Sequence, residues 1–315
     1  METLLVIGAE STVGANVACT LADTFHVVGL SRAGQLDLDG CRTVACEFSV
    51  AEIGRWIDEL SPNWIVFSGA TARSSWDEAD IPPEWLAVES ELAGAVAAAA
   101  RRACSRLTYV STDGVFAGPQ MFHAEASAAH AHGPLAETAL AAEAAVMTAG
   151  EAEAGPAAAL VVRTHAYGWS PTAHAPDFAE RFWQSLDTGM SVHADAHRHA
   201  TPILASDLAS LLHAAYRANL RGLLHIGGAE RTNPRRFAHE LASALGIQSR
   251  PGIALETAWE RVKETSLISR RAQQALDQPL PMLREGLRRF VAQLDNGYRD
   301  RLRSEEAALA PAKAA

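Results

Sequence analysis

Lysine is almost absent from this chain: Lys263 and Lys313 are the only two in 315 residues. Arginine carries the remaining positive charge. With 37 Asp and Glu against 27 Lys and Arg, the formal net charge is −10. A chain this acidic argues against nucleic acid or an anionic membrane as partner. Cysteine is scarce too. Cys19, Cys41, Cys46 and Cys104 show no metal-ligand spacing, and no Cys or His follows Cys41 and Cys46 at zinc spacing. They read as four reduced thiols of a cytoplasmic protein. No apolar run reaches about 18 residues, the length that spans a bilayer. The opening METLLVIGAE also lacks the basic segment of a signal peptide.

What the chain has is apolar bulk. Hydrophobic types make up 48% of it, enough for a sizeable core. Its length suits one large α/β domain, or a nucleotide-binding domain with a smaller lobe. Thr3 to Ile7 reads as a short strand. Gly8-Ala-Glu-Ser-Thr-Val-Gly14 follows, and then the helical ANVACTLAD. Strand, glycine-rich turn and helix in that order is the context that gives the motif meaning. Gly8 permits a tight turn, and Gly14 lets the helix pack on the sheet. The helix N-terminus, with Ser11, Thr12 and Val13, then presents N–H groups to a diphosphate. Ser11 replaces the middle glycine, narrowing the space for phosphate while offering a hydroxyl.

The second strand, His26 to Leu30, runs into Ser31 and Arg32. An acidic residue here would read ribose hydroxyls. Ser31 and Arg32 instead suit a 2′-phosphate, which favours NADP(H) over NAD(H). The plain alternative is a solvated Arg32. A third strand between Cys41 and Phe48 puts Glu47 and Phe48 beside the adenine. After a helix over Val50 to Leu60, the strand Trp64 to Phe67 ends in Ser68, Gly69 and Ala70, small residues that let the backbone approach a cofactor.

A long Ala-rich helix is expected over Pro82 to Cys104, and a strand over Ala158 to Val162. Residues 167–201 hold few strong elements and read as a substrate lobe or lid. A helix over Ala205 to Ala218, a strand over Leu223 to Ile226 and a helix from Asn233 to Ala244 follow. An amphipathic surface helix is expected over Leu283 to Leu302. The expected fold is α/β, a Rossmann-type doubly wound parallel sheet with a smaller C-terminal substrate lobe. Residues 1–166 and 203–230 would form the dinucleotide domain, 167–202 and 231–303 the lobe, and 304–315 a disordered tail.

The chemistry is expected between Arg106 and Glu143. A strand from Leu107 to Val110 ends in Ser111, Thr112 and Asp113, and a helix starts near Pro134. Gly8…Gly14, YVSTDGVFAG from Tyr109, LAETALAAE ending at Glu143, Val162-Arg163-Thr164, ATPILASDLA and GLLHIGG resemble the extended short-chain dehydrogenase/reductases. Within these they resemble the dTDP-4-dehydrorhamnose reductase group. The resemblance covers most of the chain and implies Ser111 and Thr112 as donors to a substrate carbonyl. It also implies a Tyr and a Lys four apart on the helix, where Lys lowers the Tyr pKa and the phenol protonates the reduced carbonyl. Here Leu135 and Ala139 hold those places.

Three readings follow. The first is a NADP(H)-dependent ketoreductase without the Tyr/Lys pair, acting on an aromatic polyketide ketone of angucyclinone type whose own phenol supplies the proton. Between Gln120 and Ala200 there are three Arg, no Lys and nine acidic residues, which is poor in cations for a nucleotide-sugar diphosphate. Phe116, Leu135, His165, Tyr167, Trp169 and Trp183 would line an apolar pocket for a small-molecule substrate. The second is a 4-keto-6-deoxy nucleotide-sugar reductase with a substitute acid among His130, His132, His165 and Tyr167. The third is a non-catalytic nucleotide-binding subunit. No metal site is expected: eight of the twelve histidines fall between His123 and His199, but no pair sits on a metal scaffold.

Overall fold

Thr3–Ile7, the apolar run ahead of the glycine-rich turn, is the interior strand β1 of a seven-stranded sheet in a computed structural model of the chain. The structure describes residues 1–77, 81–151, 159–247, 253–256 and 263–303. The expected tail 304–315 and the start of a strand at Ala158 lie outside the described residues. On one side of β1 lie β2 (His26–Ser31) and β3 (Arg42–Ala45). On the other lie β4 (Trp64–Phe67), β5 (Arg106–Thr112), β6 (Ala159–Thr164) and, at the far edge, β11 (Gly222–His225). Every pairing is parallel. Strands buried on both faces read as unbroken apolar runs, as WIVF of β4 does.

Helices cover both faces. α1 (Thr12–Leu21) and α6 (Ala205–Arg217) pack with Leu4, Val6, Val110 and Val162. α2 (Val50–Leu60), α3 (Pro83–Arg102) and α4 (Pro134–Glu151) cover Leu5, Ile7, Phe67 and Tyr109. The alanine content of α3 and α4 has a use. A Cβ built on Gly94 would stand 3.3 Å from the Ala145 Cβ, so small residues set how closely the two helices approach.

The second region has more order than its sequence announces. β7 (Ala166–Tyr167) pairs with β10 (Ile203–Leu204). α5 (Phe178–Asp187) starts at Asp177, whose carboxylate accepts from Ala179 N at 2.9 Å. That cap, followed by an amphipathic run, is the signal for a helix in the stretch 167–201. β8 (Val192–Asp195) pairs with β12 (Ile253–Glu256), and β9 (Arg198–His199) with β13 (Lys263–Glu264). α7 (Pro234–Ala244) is capped by Asn233, and α8 (Arg270–Leu276) follows.

The expected helix over 283–302 is two. α9 (Leu283–Asp295) and α10 (Tyr298–Arg301) are separated at Gly297, whose φ is +74°. α9 is amphipathic: Leu283, Leu287 and Phe290 are buried, while Arg284, Arg288 and Arg289 are exposed. Beyond α9 the chain clasps the first βα unit. Tyr298 Oη meets Thr20 Oγ1 at 2.8 Å, Arg301 O accepts from Asp39 N at 2.9 Å, and Leu302 is fully buried.

Candidate active site

The turn after β1 is closed by contacts only glycine allows. Gly8 has φ +88°, and a Cβ there would lie 1.9 Å from Ser68 O at the end of β4. A Cβ on Gly14 would lie 2.1 Å from Gly8 O. Ser11 caps α1: its Oγ accepts from Gly14 N at 2.9 Å and donates to Gly8 O at 2.8 Å. It also meets Ser68 Oγ at 2.8 Å, so Ser68 donates in that pair. The Ser11 hydroxyl is thus used inside the turn. The first turn of α1 carries no acidic residue, which leaves its positive end open to an anion. A cleft runs between Ser11, Thr12 and Val13 on one side and Gly69, Ala70 and Ala72 on the other. It lies between β1 and β4, where the strand order reverses.

Arg32 closes one end of this cleft. Its guanidinium lies over the Phe48 ring at 4.4 Å and over the Trp85 ring at 4.6 Å. Its Nε pairs with Glu10 at 3.3 Å, and its Nη2 is 3.9 Å from Glu89. Glu89 on α3 is fully buried: it accepts from Ala70 N at 3.1 Å and from Tyr109 Oη at 3.3 Å. A Cβ on Gly69 would stand 2.0 Å from its carboxylate. Burial pushes the Glu10 and Glu89 carboxyls above the ordinary range, although the Arg32 charge opposes it. Ser31 is turned inward and accepts from Ala33 N, while Glu47 is exposed. Glu10, Trp85 and Glu89 are not legible as site residues in sequence. Glu10 alone had a signal, its place inside the glycine-rich turn.

At the end of β5 the polar trio is sealed. Ser111 donates to Glu143 at 2.6 Å, and Glu143 accepts two bonds from Arg163 at 2.9 and 2.6 Å. Thr112 Oγ1 accepts from Gly114 N at 2.9 Å, and both Ser111 and Thr112 are fully buried. Asp113 is a hub. Its carboxylate is bonded by His165 Nδ1 at 2.8 Å, Ser75 Oγ at 2.7 Å, Ser75 N at 2.9 Å and Thr265 Oγ1. Burial alone would raise this carboxyl. The His165 charge and the hydrogen bonds outweigh burial and hold it below its ordinary value. His165 Nε2, on the far side of the ring, is buried with no hydrogen-bond partner. On α4, Leu135 is half-buried and Ala139 fully buried.

The other expected substrate residues lie apart from the cleft. Phe116 stacks on His123 at 4.1 Å. Tyr167 is buried against Phe237 and Phe290. Trp169 stacks on Phe290 at 4.1 Å and meets Trp183 edge-on at 5.1 Å. Tyr167 and Trp169 belong to the same core cluster as Leu4 and Val6, and Phe116 packs with Val115, Ala139 and Leu267. A second cavity opens beyond β5, with Ala117, Gly118, Pro119 and Met121 on one side and His197, His199, Arg231 and Lys263 around it. Burial and the Arg231 charge push the His199 pKa down. Arg231 and Lys263 come from outside the cation-poor window of 120–200, so that window undercounts the charge around the pocket. Among the described residues, no three His, Cys, Asp or Glu stand together as a metal site, and no helix is long and apolar enough to cross a membrane.

A family model described as the RmlD substrate binding domain matches residues 1–296. No curated protein matches the chain. Solved structures do. The dTDP-4-dehydrorhamnose reductase of Bacillus anthracis, in complex with NADP, is 17% identical with a TM-score of 0.76, over 93% of this chain and 99% of that one. The Bordetella bronchiseptica enzyme WbmH, in complex with NAD+, is 18% identical with a TM-score of 0.74, over 94% and 99%. A UDP-glucose 4-epimerase of Thermotoga maritima, with UDP-glucose, is 14% identical with a TM-score of 0.77, over 94% and 99%.

Proposed function

The chain belongs to the RmlD substrate binding domain family, that of the dTDP-4-dehydrorhamnose reductases, and is an oxidoreductase by family; from this premise we propose that it reduces a ketone with a bound nicotinamide dinucleotide. The observation that carries the proposal is the cleft at the β1/β4 boundary, floored by a turn that only Gly8 and Gly14 permit. The N–H groups of Thr12 and Val13, left over when Ser11 N and Gly14 N bond within the turn, would hold the diphosphate, Phe48 and Arg32 the adenosine end, and Gly69 and Ala70 the ribose between. When bound, a reduced nicotinamide supplies hydride.

The chain's own part is to hold the ketone and to govern its proton. Ser111 gives its hydrogen to Glu143, so it serves to position β5. Thr112 Oγ1 accepts from Gly114 N at 2.9 Å and spends its hydrogen only on a long bond to Asp113 Oδ1 at 3.5 Å, so that hydrogen can turn to a carbonyl oxygen. Leu135 and Ala139 can deliver no proton, and general acid catalysis is typically worth about 10² to 10⁴ in rate. A ketone beside a phenol brings its own donor. The missing acid thus supports an aromatic polyketide ketone of angucyclinone type, and the apolar side of the cavity at Ala117, Pro119 and Met121 suits a flat ring system.

One observation favours a second reading. Lys263, and Arg231 with its partner Glu264, surround the same cavity with His197 and His199, and the two cations suit the diphosphate of a 4-keto-6-deoxy nucleotide sugar. Loss of reduced-nicotinamide absorbance with a phenolic polyketide ketone and with a 4-keto nucleotide sugar separates the two. Turnover of the polyketide alone is the expected result. Turnover of the sugar alone replaces the first reading with the second. Tight dinucleotide binding with turnover of neither makes the chain a nucleotide-binding subunit instead.

A further inference from the structure

Arg32 stands at the Phe48 and Trp85 end of the cleft, and it already has partners. Glu10 and Glu89 bring two carboxylates to a single guanidinium, and Phe48 and Trp85 cover it. Its side chain is 8% exposed. Glu89 cannot withdraw, because Ala70 N, Thr71 and Tyr109 hold it and the Gly69 backbone lies against it. Glu10 lines the cleft, and its Oε2 is buried without a hydrogen-bond partner.

A 2′-phosphate set here would meet two carboxyl groups beside one guanidinium, whose Nε already donates to Glu10. A ribose with free 2′ and 3′ hydroxyls brings donors, and Glu10 Oε2 is an acceptor lacking one. We infer that Glu10, with Glu89 holding Arg32 in place, selects a dinucleotide whose adenosine ribose is unphosphorylated, NAD(H) over NADP(H). The inference rests on the reading that the cleft holds a dinucleotide.

The test is calorimetric titration of the whole chain with ADP-ribose and with its 2′-phosphorylated form, which differ in that phosphate alone and contain no nicotinamide. ADP-ribose is expected to bind at least ~10-fold more tightly. Glu10→Gln, which removes the charge and keeps the shape, is expected to narrow that ratio by tightening the phosphorylated ligand. Equal binding, or tighter binding of the phosphorylated form by the unaltered chain, overturns the inference and leaves the dinucleotide reading intact. An unchanged ratio in a folded Glu10→Gln variant overturns the role of Glu10. If neither ligand binds, the dinucleotide reading itself fails and the inference falls with it. The comparison on the unaltered chain decides the preference even where the variant does not fold.

Discussion

His165 Nδ1 stands 2.8 Å from Asp113 Oδ2, and both side chains are wholly out of solvent. Removing one partner of a buried pair is expensive, because the other is left without compensation. Asp113→Asn is expected to lower unfolding stability by about 3 kcal/mol, read from urea midpoints at neutral pH. The pH dependence has a defined sign. The folded pKa of Asp113 lies below its unfolded value of 3.8. Its contribution is therefore complete above pH 3.8 and is lost as pH falls through the folded value. Circular dichroism during acid titration checks this. A variant as stable as the parent at neutral pH would show that Asp113 contributes nothing to the fold.

His225 sets an earlier acid limb. Burial, with the Arg163 charge, pushes its pKa down from 6.5 to about 3. The folded state holds this ring neutral, so its contribution is present above pH 6.5 and is lost as pH falls towards about 3. That difference corresponds to a loss on the order of 5 kcal/mol. His225→Phe is expected to flatten stability between those limits, at the cost of about 1 kcal/mol for the lost bond to His123 O. Denaturant midpoints across that range measure it.

Gly8→Ala should fail on two grounds. Its φ of +88° disfavours a side chain, and the new Cβ would meet Ser68 O at 1.9 Å. A loss of at least about 2 kcal/mol in stability is expected, together with loss of ADP-ribose binding. Thermal unfolding and calorimetry read the two effects separately. Retained binding would mean that the turn does not shape the site.

Thr112→Val removes the proposed carbonyl donor and keeps the side-chain volume. A fall of roughly 10² in kcat/KM on the accepted ketone is expected, in a chain that still binds dinucleotide. An unchanged kcat/KM removes Thr112 from the chemistry.

Restoring the family pair by Leu135→Tyr with Ala139→Lys is not expected to raise activity. Leu135 is half-buried, so a phenol has somewhere to go. Ala139 is fully buried among Val115, Phe116 and Leu267, where an ammonium would be desolvated without a partner. Ala139→Lys alone is expected to destabilise the chain by about 3 kcal/mol or more. A stable, faster double variant contradicts this account.

The sheet was legible because its information is local. β1, β2, β4 and β6 are apolar runs with a turn or loop after them, and Gly8 and Gly14 sit six residues apart in the one context that gives them meaning. The loss of the Tyr/Lys pair at Leu135 and Ala139 was legible for the same reason. What escaped depends on distant pairs. Arg32 looked like a free guanidinium because Glu10 and Glu89, 22 and 57 positions away, reach it only once α3 is docked. Trp169 looked like a ligand wall because its stacking partner, Phe290, lies 121 residues on. A count of cations over 120–200 could not see Arg231 and Lys263 arrive from elsewhere.

The clasp formed after α9 bears on where this fold can be cut. The family match stops at residue 296, but Tyr298, Arg301 and Leu302 reach back to Thr20, Asp39 and the core. Shortening the chain to the matched length would uncover the back of α1, the helix whose front end lines the cleft. A loosened α1 would blur the position of its leading N–H groups, so trimming this terminus would act at a distance on whatever anion the turn holds.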